Sequence, residues 1–123
     1  MSSIAKTGHW SELEVWKQSH GLVLEIYKLT SSFPASEMYG ISSQLRRASS
    51  SVAANIVEGQ SRNTTKDYVH FLYNSRGSLE ETRYFLLLSR DLNYLTMVEH
   101  QRIETAAASV SRMLNGLISS LKS

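Results

Sequence analysis

Apolar residues along this 123-residue chain recur at three- and four-residue spacing in four blocks, the period of amphipathic helices, and clusters of turn-forming residues separate the blocks. The first block predicts a helix over about 13–32. Leu13, Trp16, His20, Val23, Tyr27 and Thr30 form its stripe, which Val15, Leu22, Ile26 and Leu29 widen. Pro34 then forbids continuation, because it lacks an amide N–H and its ring clashes with the preceding turn. A second helix is predicted over about 41–58, with Ile41, Leu45, Ala48, Val52 and Ile56 on one side and Gly59 as a left-handed cap. Its middle, Ala48 to Ala54, is almost entirely Ala and Ser, so a tight helix crossing is expected there.

Thr64 caps the third predicted helix, and Asp67 favours its positive end. This helix covers about 65–92, roughly 42 Å at 1.5 Å per residue. Its seam of Tyr68, Leu72, Ser75, Leu79, Thr82, Leu86 and Ser89 alternates steps of four and three, a heptad pattern. Asn93 ends it. Thr96 and Glu99 make a capping box for a fourth helix over about 97–121, whose apolar face is Ile103, Ala107, Val110, Leu114, Leu117 and Leu121. With no strand pattern, the expected fold is all-α: a single domain over 1–123 built as an antiparallel up-down four-helix bundle.

Composition narrows the function classes. The chain has no Cys, which removes disulfides, thiolate zinc sites and a cysteine nucleophile. The longest run without a charged residue is the ten from Ala48 to Val57, half of the roughly 20 that a membrane span needs. Met1 to Trp10 has no apolar signal-like segment, so a soluble, cytoplasmic protein without a membrane partner is expected. Metal and catalytic equipment is sparse. A carboxylate-bridged metal site in a bundle needs a Glu-x-x-His pair on each of two helices, and Asp67-x-x-His70 is the single near match. No nucleophile elbow or phosphate-cradling Gly loop occurs, and Ser-x-x-Lys matches fall only at Ser3 and Ser119. No cofactor, no metal and no enzymatic activity are expected.

Charge carries more. The net charge is +2, and eight of the thirteen Lys and Arg residues are Arg, the side chain whose fork suits phosphate. Arg76, Arg83 and Arg90 recur every seven residues beside the third seam, either as a track for phosphate, as a charged rim on a subunit interface, or as a solvated face with local pairs such as Glu80 with Arg83 or Arg76 with Glu80. Arg46, Arg47, Arg62 and Lys66 add a second basic cluster, expected around the turn between the second and third helices. These seven cations are the candidate nucleic-acid contacts. Asn55 lies on the second helix's seam, with Glu58 on a stripe shared with Arg47 and Ser51. The favoured reading is that Asn55 and Glu58 satisfy backbone groups or an Arg, ahead of contacting a ligand.

Gln44-Leu45-Arg46-Arg47-Ala48, Ser51-Val52-Ala53-Ala54-Asn55-Ile56-Val57-Glu58-Gly59 and Gly77-Ser78-Leu79-Glu80-Glu81, with Glu12-Leu13-x-Val15-Trp16-Lys17 and Phe33-Pro34 before Tyr39-Gly40, closely resemble the four helix bundle protein family, also called the 23S rRNA intervening-sequence proteins. The likeness covers roughly Trp10 to Leu121. The chain departs from the family pattern at Ser49, Ser50, Ser75 and Thr82. The resemblance implies a bacterial bundle that assembles into a homopentamer. A distant relative, the accessory protein of diversity-generating retroelements, is a pentameric bundle that binds nucleic acid. Carried over by motif, the family residues are Arg46, Arg47, Asn55, Glu58, Gly59, Gly77, Ser78 and Glu81. RNA or DNA is the implied partner beside further copies of the chain, and the alternative is a protein-interaction scaffold without nucleic acid.

Overall fold

Among the described residues, four α-helices carry the chain up and down in antiparallel order: α1 (Glu14–Thr30), α2 (Ile41–Gln60), α3 (Thr65–Asp91) and α4 (Met97–Lys122). They are seen in a computed structural model that describes residues 8–123. Residues 1–7 of the Met1 to Trp10 segment, Ser3 among them, lie outside the described residues. Each boundary has a local cause. Beyond Pro34 a short 3-10 turn, Ala35–Glu37, redirects the chain, and Glu37 reaches forward to accept from the Ile41 amide at 3.2 Å. Thr64 accepts from the Asp67 amide, and Thr96 and Glu99 form the expected reciprocal box. Asn93 sits in the left-handed region at φ 65° and ends the turn after α3.

The predicted seam of α3 is buried at all seven positions, from Tyr68 to Ser89. Its small polar members cost little to bury because each donates to a carbonyl: Thr82 to Ser78 O at 2.8 Å, Ser89 to Phe85 O at 2.7 Å, and Ser75 across to Val52 O of α2 at 2.7 Å. That last bond is possible only because the Ala and Ser residues of α2 let the two backbones approach, as expected.

Two expectations need correction. The buried face of α1 is Val15, Ser19, Leu22, Ile26, Leu29 and Thr30, so the four widening residues form its centre, and of the predicted stripe Thr30 is buried while His20 and Tyr27 lie exposed. Both stripes have helical period, so periodicity could not choose between them. Ser19 is polar, and its hydroxyl is satisfied in the core by donating to Val15 O at 2.7 Å. Gly59 is also no left-handed cap. It is buried inside α2, where a Cβ would meet Tyr68 Cδ1 at 2.9 Å and Phe71 Cβ at 3.0 Å. Close packing against α3 requires the glycine there, and α2 runs on to Gln60. At the far end of α4, Ile118 is fully in the core, with Leu117 and Leu121 half-buried against it.

Candidate nucleic-acid interface

The motif residues from two separate stretches of sequence meet along the α2–α3 seam. Arg47 forms an ion pair with Glu81, and Ser78 donates to Ser51 Oγ at 2.9 Å. Asn55 donates through Nδ2 to Ser51 O at 2.8 Å and to Ser51 Oγ at 3.0 Å. With Ser75 on Val52 O and Tyr68 against Gly59, these contacts step in opposite directions along the two helices and fix their antiparallel register. Asn55 thus satisfies a backbone group of its own helix, and Glu58 accepts from Arg62 one turn on, at 3.0 Å. Gly77 differs from the rest: a Cβ there would meet nothing within 4 Å.

The basic cluster expected around the α2–α3 turn is split. Arg62 and Lys66 flank that turn, but Arg46 and Arg47 lie about 22 Å away along the helix at 1.5 Å per residue. Arg46 belongs to the other end, where its Nε donates to Thr30 Oγ1 at 2.9 Å and its guanidinium lies 4.7 Å over the Tyr27 ring, tying α1 to α2. Arg46 and Arg47 stand in the first two turns of α2, and the remaining turns of that helix carry the chain away from them before Arg62 and Lys66.

Arg76, Arg83 and Arg90 do line one edge of α3, beside α4, but their partners differ. Arg83 is bonded to Glu104 of α4 at 2.7 Å and to Glu80 at 3.0 Å. The hydrogen bond to Glu104 does most to push its pKa above the ordinary arginine value, against a burial that lowers it. Arg90 pairs with Asp91 at 3.0 Å. Arg76 instead donates to the neutral Asn115 at 3.1 Å and lies 4.9 Å over the Tyr73 ring, so the expected pairing with Glu80 gives way to contacts with α4 and Tyr73. Among the described residues, carboxylates engage Arg47, Arg62, Arg83, Arg90 and Arg102 in ion pairs, and none engages Lys66 or Arg76. Lys122, not among the seven candidate cations, also joins this edge: its Nζ reaches the Tyr73 hydroxyl at 2.8 Å. Its spacing of seven from Asn115, on one helix face, was the available signal.

No group of three or more metal-ligating side chains occurs among the described residues, and no described helix is long and apolar enough to cross a membrane. The chain's fold has a solved counterpart. It is similar, at 23% identity and a TM-score of 0.77, to a protein of unknown function from the S23 ribosomal protein family of Bacteroides thetaiotaomicron, over 85% of this chain and 97% of that one. No curated protein matches. The profile of the 23S rRNA-intervening sequence proteins matches residues 11–116. That span takes in all of α1 to α3 and most of α4, including the two motif stretches that clasp α2 to α3, and the chain belongs to the 23S rRNA-intervening sequence protein family.

Proposed function

We propose that this protein is a non-enzymatic bundle that assembles as a homo-oligomer, a homopentamer by its family resemblance, and binds structured RNA or DNA through basic residues in the cytoplasm. The observation that carries this reading is the unequal use of its cations. Carboxylates of the same chain neutralise Arg47, Arg62, Arg83, Arg90 and Arg102, whereas among the described cations without an acidic partner Lys66, Arg76 and Lys122 are gathered around Tyr73. Phosphate is an anion that both arginine's planar fork and lysine's ammonium bind. In an oligomer, symmetry repeats such a patch and turns a net charge of +2 per chain into a strong local field.

A second reading has one observation in its favour. Tyr39, Met97 and Val98 are 92%, 71% and 76% exposed at the end of the bundle that carries the α1–α2 and α3–α4 connections, and such side chains suit a protein partner. A titration of purified protein against a 23S rRNA fragment and a DNA duplex across a salt series separates the two. Nucleic-acid binding predicts an affinity that falls steeply with salt, by roughly 0.9 log unit per log unit of salt for each duplex phosphate neutralised. Absence of binding even at low salt removes this function and leaves the scaffold reading.

A further inference from the structure

Two adjoining grooves, of about 480 and 640 Å³, run between the first turns of α3 and the last turns of α4 and share Tyr73 and Lys122 as walls. Lys66 and His70 line the first; Arg76 and Asn115 line the second. No Asp or Glu side chain lines either. Other grooves with basic walls differ: Glu104 stands beside Arg90 in one and Glu25 beside Arg102 in another, while a third has Arg46 as its single cation.

Tyr73 organises the site. Its ring draws the Arg76 guanidinium to 4.9 Å and the Lys122 ammonium to 5.6 Å, and its hydroxyl accepts from Lys122. A tyrosine π-face attracts each cation weakly, and it does nothing to cancel the repulsion between them. Two cations drawn to one ring, with Lys66 nearby and no Asp or Glu side chain in the walls, form a positive field in a cleft. An anion lying between them relieves that repulsion and gains bonds from both. The neutral polar groups are of the kind that orient a phosphate: Asn115 and the Tyr73 hydroxyl, beside the imidazole of His70.

We infer that this Lys66–His70–Tyr73–Arg76–Lys122 groove is a phosphate-recognition site and the point at which the chain grips a nucleic-acid backbone. The second half of that statement rests on the function proposed above; the first does not. The same chemistry is offered by a backbone phosphodiester and by a small free phosphate compound, and the test distinguishes them.

The wild-type protein, a Lys66→Gln/Lys122→Gln variant and a Lys17→Gln/Lys28→Gln variant that removes equal charge from exposed positions of α1 are titrated with a DNA duplex, an RNA hairpin and inorganic pyrophosphate. Circular dichroism checks that helicity is equal. The groove variant is expected to bind nucleic acid about tenfold more weakly at low salt, with a duplex salt slope smaller by about 1.8 for the two lost phosphate contacts, and the α1 variant to stay near wild type. If the wild type binds nucleic acid and the groove variant loses no more affinity than the α1 variant, the groove is overturned and the function survives. If the wild type binds pyrophosphate through the groove but no nucleic acid, the phosphate site stands for a small ligand and the function falls. If it binds none of the three probes, both fall.

Discussion

Gly59 and Gly77 are both motif glycines inside helices, and their surroundings assign them opposite consequences. An added methyl at Gly59 collides with Tyr68 and Phe71, whereas one at Gly77 meets nothing within 4 Å. Gly59→Ala is expected to lose about 1 to 3 kcal/mol through overpacking. Gly77→Ala should gain up to about 1 kcal/mol from the better helix propensity of Ala. Urea unfolding of the two variants checks the pair, and equal midpoints would refute the packing account of Gly59. Tyr68, the ring against Gly59, is 3% exposed, and burial pushes its phenol above the ordinary tyrosine value. With the folded-state pKa above that of the unfolded chain, its contribution is whole below about pH 10 and is lost as pH rises through the folded value. A Tyr68→Phe variant should therefore lose stability less steeply than wild type above pH 10, read as denaturation midpoints across an alkaline series; parallel curves would contradict it.

At the level of elements, the connections are held by few groups, of which Glu37 is the most connected. One carboxylate oxygen accepts from the Ile41 amide at the start of α2, and the other accepts from the Tyr94 hydroxyl between α3 and α4 at 2.8 Å. That bond also pushes the Tyr94 pKa upward. Removing the carboxylate frees a helix-start amide and uncouples two connections at one end of the bundle. Glu37→Ala is expected to cost about 1 to 3 kcal/mol, and Tyr94→Phe less, near 1 kcal/mol. A double-mutant cycle by chemical denaturation measures the coupling, and strictly additive effects would show that the two groups act separately. The α2–α3 pair is clasped in a different way, by Arg47 with Glu81 and Ser51 with Ser78, and the exposed ion pair adds less there than the approach that Ala and Ser permit.

For the whole molecule, the charge ledger decides which cations remain available. A chain of net charge +2 is a weak polyelectrolyte, yet packing gathers Lys66, Arg76 and Lys122 around Tyr73, while the opposite end carries Arg46 and Lys28 singly beside exposed Tyr39, Met97 and Val98. The salt-series titration and the groove variants belong to this scale, because they read a field made by several helices together. Periodicity, caps and turn residues specified the four helices and the α3 seam, since these depend on neighbours one turn away. Thr64, Asn93 and the Thr96–Glu99 box act within a few residues and were legible for the same reason. The choice between two equally periodic stripes on α1 depended on which face its neighbours cover. Likewise, the separation of Arg46 and Arg47 from Arg62 and Lys66, the neutralisation of Arg83 by Glu104, and the meeting of Lys122 with Tyr73 and Arg76 join residues far apart in the chain. Sequence order determined which elements form. Only their packing decided which charges cancel, because electrostatic pairing depends on distance in space and not on spacing along a helix.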